Sequence, residues 1–290
     1  MPKELIHWKA AWEALRRLPA DSGLRKSIEA NRNCYLAGAV LPDTLLHFLG
    51  GPYQDIAFSL CDSFHSPKKS SYLPLLNFLD SVETASISPA VEAALLGISC
   101  HMEADILFHP FVYAISGMNM GIHYRTETEL DLWLLGKGSS PPVFRLNELL
   151  DPAAAMTLIN VLGGVFDPDR KLPDAAITKS LENHALFQSM YSSPLWIITA
   201  RTLGLIPGTP VKNWQWLFYP LRWKQGRDFE WPAEWRDPVS GKKRIETPDE
   251  LLERVIERIG GILQETEQAG LKSAFAKQPG ENLLTGLLPE

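Results

Sequence analysis

The stretch Gly97-Ile-Ser-Cys-His-Met-Glu-Ala-Asp-Ile-Leu-Phe-His-Pro110 combines the apolar content of a buried helix with side chains that bind metal ions. Residues four positions apart project from one face of an α-helix, so His101, Asp105 and His109 form a ladder along one side. Pro110 follows this ladder and is expected to kink or end the helix just after His109. The stretch therefore predicts a central helix that carries three potential ligands.

A second ladder follows after a short break rich in glycine, asparagine and methionine. His123 and Glu127 are also four residues apart, and an imidazole and a carboxylate at this spacing can bind one ion together. The alternative is that His101 is a core histidine and that the carboxylates lie on solvated helix faces. Five of the seven histidines fall at positions where ligands are expected, which favours a metal site.

The composition is that of an ordinary globular protein, with 290 residues, of which 45% are hydrophobic and 21% charged. The sequence contains no long polar, Gly/Ser-rich or Pro-rich run that would serve as a linker. We therefore expect one globular unit, formed by a helical domain over residues 1–205 and a C-terminal extension over residues 206–290 that packs on it.

The charge balance bears on the partners. A net charge of −6 and a pI near 5.7 argue against a broad basic surface, so no stable nucleic-acid binding is expected.

Three widely separated cysteines, Cys34, Cys61 and Cys100, do not form a disulfide framework and favour a reducing compartment. No signal-peptide core and no membrane-spanning run is found, so a cytoplasmic protein without a transmembrane segment is expected.

The apolar residues recur with helical spacing along most of the chain, and no alternating pattern long enough to require a sheet is found. An all-α fold is therefore expected. The predicted helices cover residues 4–18, 22–35, 72–82, 89–115, 146–163, 174–190, 194–203 and 247–268. Thr247-Pro-Asp-Glu250 has the pattern of a capping box at the start of the last of them, and residues 276–290 are expected to form a tail.

Other polar residues are candidates with two interpretations each. His7 lies on the first helix and either faces solvent or points toward a site, and Asp43 either caps the short segment after Pro42 or faces a metal. His65 is a plausible ligand, with Asp62 as the carboxylate that orients it. We interpret His47 and His184 as structural, the latter on a solvated helix.

Five of the nine tryptophans lie between residues 214 and 235, together with Pro220 and Pro232. Tryptophan faces can bind a quaternary ammonium such as choline by cation–π attraction. Packing that docks the C-terminal extension is the commoner role of such a cluster, and the sequence leaves both open.

The ordered set of candidate residues resembles the zinc-dependent phospholipase C family over roughly residues 1–200, with the fungal single-strand nucleases as distant relatives. The set comprises His7, Pro42-Asp43, Asp62-Ser-Phe-His65, His101, Asp105, His109, His123 and Glu127. The resemblance implies a multi-helix, phospholipase C-like bundle with a metal cluster between its helices. The weight lies in the order of the whole set, because a single His and Glu four residues apart is a weak motif.

The resemblance also implies which residues bind each ion. The first zinc is assigned to Asp43, His65, His101 and Asp105, and the second to His109, His123 and Glu127. A third ion is assigned to His7 and shares Asp105. In the family, an N-terminal tryptophan also holds this third ion, whereas this sequence begins Met1-Pro2.

The chemistry follows from the residue types. Imidazole and carboxylate ligands without thiolates suit Zn²⁺, although Fe, Mn, Co or Ni also fit. Two or three such ions activate water and stabilise charge in the hydrolysis of phosphoric esters. Asp43 is the candidate catalytic residue, because its carboxylate is placed either to accept a proton from the attacking water or only to bind metal.

The expected function is a metal-dependent phosphoric-ester hydrolase, a phospholipase C-like phosphodiesterase that acts on a small phosphoester or a phospholipid. One alternative is a nuclease or nucleotidase that acts on small phosphodiesters, and another is a metal-stabilised scaffold without catalysis. No nucleotide-binding glycine loop competes with these interpretations. The oligomeric state is left open.

Overall fold

The computed structural model describes residues 3–82, 87–138, 142–143, 145–209, 211–223 and 229–288. The helices are α1 Glu4–Arg17, α2 Gly23–Ala30, α3 Arg32–Gly38, α4 Gln54–His65, α5 Leu73–Ser81, α6 Pro89–Ser116, α7 Met120–Gly136, α8 Pro152–Phe166, α9 Asp174–Met190, α10 Pro194–Leu203, α11 Val211–Trp214, α12 Pro248–Ala269 and α13 Leu271–Ala276. Short 3₁₀ helices cover Leu41–His47, Leu146–Leu149 and Gln215–Leu217. In the described ranges the β structure is limited to one antiparallel pair, β1 Trp235–Arg236 with β2 Lys243–Arg244. The predicted all-α fold is confirmed.

Helix α6 lies at the centre of the bundle. It starts at a capping serine, Ser88, whose hydroxyl accepts from the Val91 amide, with a proline in the first turn. Every residue from Ala93 to Val112 is buried, because α1, α3, α7, α8 and α12 all pack around it. A helix that is buried on all sides has no solvated face, so its polar residues must find partners inside the protein.

Helix α6 does not end at Pro110, so of the two outcomes expected for this proline, a kink or an end of the helix, the end is wrong. The helix continues to Ser116. A proline removes the hydrogen bond to the carbonyl four residues earlier, which is that of Ile106 here. The packing of Phe111 and Val112, both fully buried, outweighs this loss.

Two glycines allow α3 and α6 to touch. A Cβ atom at Gly97 would lie 2.1 Å from the Tyr35 carbonyl oxygen and 2.8 Å from the Gly38 Cα. Such distances are far inside van der Waals contact, so only glycine fits. The contact matters for the site because it fixes the end of α3, where the Ala39 carbonyl accepts a hydrogen bond from His101.

We expect Gly97→Ala to lower the free energy of unfolding by about 3 kcal/mol, because α3 must move away from α6. Denaturant titration measures this loss. Gly261→Ala in α12 is the matched control, since nothing lies within 4 Å of an added Cβ there. The control should stabilise the helix by up to about 1 kcal/mol. Equal stability of the two variants would contradict the close contact.

The C-terminal part packs on the bundle through α12. The Thr247 hydroxyl accepts from the Glu250 amide and the Glu250 carboxylate accepts from the Thr247 amide, which confirms the predicted capping box. The buried face of α12 contacts α1 and α6. The domain boundary at residue 205 stays a prediction.

The expected tail over residues 276–290 packs against the bundle in its described part. Leu283 is fully buried, and the Gly280 carbonyl accepts from the Ser71 amide. Gly286, at a positive φ of 64°, lies against the Ile106 carbonyl that Pro110 leaves without its helical partner. The close approach needs a glycine, because a Cβ atom there would lie 2.6 Å from that oxygen.

The described tryptophans of the segment 214–235 take part mainly in packing. Trp231 and Trp235 both meet the ring of Phe111 edge-on, at 5.6 and 5.5 Å between centroids. The Arg201 guanidinium lies 4.3 Å from the centre of the Trp216 ring. Residues 224–228 of this segment lie outside the described residues. The contacts favour docking of the extension over an open cage for a quaternary ammonium.

Two further sequence-based expectations concern cysteines and membranes. All three cysteines are free and buried. Among the helices of the described ranges, none has both the length and the apolar content that a bilayer crossing requires.

Candidate metal centre

Eight side chains of the metal-ligand type, the eight that the sequence predicts, meet between the helices. They come from α1, the 3₁₀ helix Leu41–His47, α4, α6 and α7. By distance they form three adjoining groups, which are Asp43, His65 and His101; His7, His101 and Asp105; and His109, His123 and Glu127. Within each group, one potential ligand atom per residue lies within 4.8 Å of the others.

The first group brings one carboxylate to two imidazoles from different helices. Asp43 Oδ1 lies 3.3 Å from His65 Nε2 and 3.8 Å from His101 Nε2. Asp105 approaches the same imidazoles from α6, with Oδ2 at 3.1 Å from His101 Nε2 and 3.7 Å from His65 Nε2. Four potential ligand side chains therefore converge on one point. Four is the usual number of ligands for zinc in proteins.

Asp105 also links the first group to its neighbours. Its other oxygen, Oδ1, lies 3.6 Å from His7 Nε2, and Oδ2 is 3.7 Å from His109 Nδ1. The His7 ring stacks on the His101 ring at 4.2 Å between centroids. His7 on α1 is thus turned inward, in line with its interpretation as a site residue.

The third group lies between α6 and α7. His123 Nε2 and Glu127 Oε1 are 2.9 Å apart, as expected for residues four positions apart on one helix. His109 comes from the neighbouring face of α6. Its Nδ1 donates a hydrogen bond of 2.7 Å to the Leu283 carbonyl, which leaves Nε2 as the atom that can bind a metal.

Backbone carbonyls orient three of the imidazoles in this way. The Nδ1 atom of His101 donates to the Ala39 carbonyl at 3.1 Å, and that of His65 donates to the Cys61 carbonyl at 2.9 Å. Like His109, both rings keep Nε2 for a metal, which is the arrangement that metal-binding histidines commonly show.

Asp62 does not orient His65, and this prediction is wrong. The side chain of Asp62 is exposed, whereas His65 is buried. The Cys61 carbonyl, four positions before, takes that role.

Several potential ligand atoms of this site lack the hydrogen bonds that buried polar atoms normally have. Among the described residues, none bonds to the Nε2 atoms of His7, His65 and His101 or to either oxygen of Asp105. A buried polar atom without a partner costs about 1–3 kcal/mol, and a charged one more. Bound cations would satisfy these atoms, and a donor set of imidazoles and carboxylates without thiolates fits zinc.

For His7, His109, His123 and Asp43 the protonation states also favour metal binding, whereas the neighbours of His65 raise its pKa well above the usual value. Burial lowers the pKa of His7 and His109 to about 3 and that of His123 to about 2. Burial would raise the pKa of Asp43, but the facing imidazoles of His101 and His65 lower it to about 2. At neutral pH His7, His109 and His123 are neutral and Asp43 is ionised, which are the forms that bind metals.

We expect the metal-free protein to lose stability steeply as the pH falls from about 6.5 to about 4. In this range the histidines of the unfolded chain take up protons, whereas His7, His109 and His123 remain neutral in the fold. Each contributes a slope of about 1.4 kcal/mol per pH unit. Chemical unfolding in a chelator measures the slope. His7→Gln should reduce it by one such contribution, and a pH-independent stability would contradict these pKa shifts.

His184 is buried, so its predicted place on a solvated helix face is wrong. Its Nδ1 lies 3.0 Å from the Thr44 hydroxyl, its Nε2 lies 3.8 Å from a carboxylate oxygen of Glu4, and its ring stacks on His47 at 4.1 Å. Helix α9 turns this face toward the 3₁₀ helix that carries Asp43. Its structural interpretation agrees with these contacts, which support the segment beside the first group.

Comparison with known proteins adds one finding. The model of a family described as zinc dependent phospholipase C matches residues 6–170, a span that contains all eight candidate ligands. Comparisons with curated proteins and with solved structures gave no match.

Proposed function

Because the chain belongs to the zinc-dependent phospholipase C family, we propose that it is a metal-dependent hydrolase of phosphoric esters. The observation that carries the proposal is the convergence of donors from five segments of the chain on adjoining points of a buried centre. A structural zinc site needs only four ligands. Eight ligands in adjoining groups, linked by Asp105, are the arrangement of a centre for several ions.

The distances support the assignment of ligands that the family resemblance implies. The first ion would be held by Asp43, His65, His101 and Asp105, the second by His109, His123 and Glu127, and a third by His7 with Asp105. When bound, such cations attract phosphoryl oxygens, acidify water and stabilise the negative charge that develops during displacement at phosphorus.

The residues of the chain supply position and proton transfer. The carbonyls behind His65, His101 and His109 fix the imidazoles, so that the centre is organised before a substrate arrives. Asp43 is the most accessible of the eight, with 15% of its side chain exposed. It therefore borders the route by which a phosphoester and water reach the site, and it can accept a proton there.

We expect Asp43→Asn to reduce the hydrolysis of bis-p-nitrophenyl phosphate by at least about 100-fold, with a much smaller loss of bound zinc. The amide keeps the shape of the side chain but takes up no proton at neutral pH. Turnover and elemental analysis of one preparation measure both effects. Asp62→Asn, an exposed carboxylate on α4, is the control and should change neither. A parallel loss of zinc and turnover would show that Asp43 only binds metal and does not transfer a proton.

The substrate that we propose is a small phosphoester or a phospholipid. A screen would compare phosphatidylcholine, a short oligonucleotide, a mononucleotide and bis-p-nitrophenyl phosphate, each with chelator and with added zinc. Turnover of the nucleotides alone would favour the nuclease or nucleotidase alternative. Tightly bound zinc without turnover of any ester would favour a metal-stabilised scaffold and overturn the proposal.

The cytoplasmic location stays a prediction from the cysteines.

A further inference from the structure

Helix α10 carries several exposed apolar side chains. Of its ten residues only Ile197 and Ala200 are buried, whereas Leu195 is 70% and Ile198 54% exposed. The helix contacts α11, Val211–Trp214, and the 3₁₀ helix Gln215–Leu217. An uncovered apolar helix face of this kind usually marks an interaction surface.

The exposed apolar surface extends beyond α10 to the residues that follow it and to the neighbouring α11. We define the apolar face by Leu195, Trp196, Ile198, Leu205, Ile206 and Trp214, all at least 41% exposed. Trp214 ends α11, which packs against the start of α7, where Gly121 lies beside the Asn213 side chain. There Met118 and Ile122 are exposed as well. The exposed residue Ile122 directly precedes His123 of the metal centre on α7. The apolar surface therefore ends next to the metal centre.

The charge of this region differs from that of the whole chain. Residues 183–223 contain no acidic residue and three basic ones, Arg201, Lys212 and Arg222, although the net charge of the chain is −6. Lys212 and Arg222 are exposed. The combination of exposed tryptophan and aliphatic side chains with basic residues suits the boundary between lipid headgroups and acyl chains.

We propose that the apolar face docks the protein on the surface of an anionic phospholipid bilayer. Its side chains enter the boundary between headgroups and acyl chains, and Lys212 and Arg222 lie at the lipid phosphates. A second copy of the chain fits this face less well, because a twofold interface would bring the same basic residues together without a carboxylate between them. The docking surface does not depend on the proposed hydrolysis, although it would place the metal centre near a membrane.

Co-sedimentation with vesicles tests the proposal without any turnover. The vesicles contain either phosphatidylcholine alone or an equal mixture with phosphatidylglycerol. We expect the unmodified protein to bind the mixed vesicles at least tenfold more tightly than the neutral ones. Leu195→Ser/Ile198→Ser/Leu205→Ser should weaken the binding at least tenfold. The control Met156→Ser/Val239→Ser/Ile245→Ser replaces residues that are 67%, 54% and 68% exposed elsewhere, and should bind normally.

A second variant tests the charges. Lys212→Glu/Arg222→Glu should abolish the preference for phosphatidylglycerol and the sensitivity of binding to salt. No binding of the unmodified protein to either vesicle, or equal losses in the apolar triple variant and its control, would overturn the proposal. A third outcome would also overturn it. In that outcome the unmodified protein is a dimer by analytical ultracentrifugation, and the apolar triple variant is a monomer that still binds vesicles normally.

Turnover of bis-p-nitrophenyl phosphate by these variants separates the two proposals. The docking variants should hydrolyse this soluble ester at the rate of the unmodified protein. A protein that binds vesicles but hydrolyses no ester would retain the docking surface and lose the proposed function.

Discussion

Asp105→Asn is expected to lower turnover of bis-p-nitrophenyl phosphate by more than the roughly 100-fold that loss of a supporting partner costs, and to remove at least one equivalent of zinc. The two oxygens of Asp105 lie within 3.7 Å of nitrogen atoms of four histidines, His7, His65, His101 and His109. An amide has no charge, and its nitrogen cannot bind a cation. One substitution therefore affects every ion that shares this carboxylate.

Glu103→Gln is the matched control for this prediction. Glu103 lies on the same helix, is also fully buried, and pairs with Tyr72 and Arg258 on the other side of α6. Its loss should destabilise the fold by about 3 kcal/mol without changing the zinc content of the folded protein. Turnover and zinc content in Asp105→Asn that match the unmodified protein would contradict the role of this carboxylate.

Removal of metal is expected to lower the melting temperature by about 10 °C, and added zinc should restore it. Ions present at about 1,000 times their dissociation constant contribute roughly 4 kcal/mol to the free energy of unfolding, and each kcal/mol corresponds to about 2–4 °C in a chain of this size. The physical reason is the set of buried donors without hydrogen bonds, which a cation would satisfy. Calorimetry with a chelator, followed by zinc, measures the shift.

His101→Ala provides the comparison for the stability measurement. His101 belongs to two of the three groups, so the variant should melt near the temperature of the chelated protein and respond weakly to zinc. The docking variant Leu195→Ser/Ile198→Ser/Leu205→Ser should keep the full response. A melting temperature that chelation leaves unchanged would show that metal does not stabilise this fold.

The sequence allowed accurate prediction where one helix determines the geometry. The spacing of His123 and Glu127 predicts neighbours, and their ligand atoms lie 2.9 Å apart. The capping box at Thr247 could also be predicted from the sequence, because its partner Glu250 is only three residues away. The grouping of residues from different helices was not readable from spacing, and the resemblance to a family was needed to suggest it.

The errors arise where packing between distant segments outweighs local preference. Pro110 remains inside α6 because the residues after it are buried, and His184 is buried because α9 faces the 3₁₀ helix of Asp43. The carbonyls of Ala39 and Leu283 orient His101 and His109 from 62 and 174 residues away. A backbone carbonyl is present at every residue, so no sequence pattern could identify these two.

The most direct test of the metal-centre account is a zinc titration of the chelated protein, in which bound zinc and bis-p-nitrophenyl phosphate turnover are measured on the same sample. We expect at least two equivalents of zinc to bind tightly, and turnover to be absent without metal and to appear as the groups around Asp105 fill. Tight binding without turnover would contradict the hydrolase, and no zinc binding at all would contradict the assignment of the eight ligands.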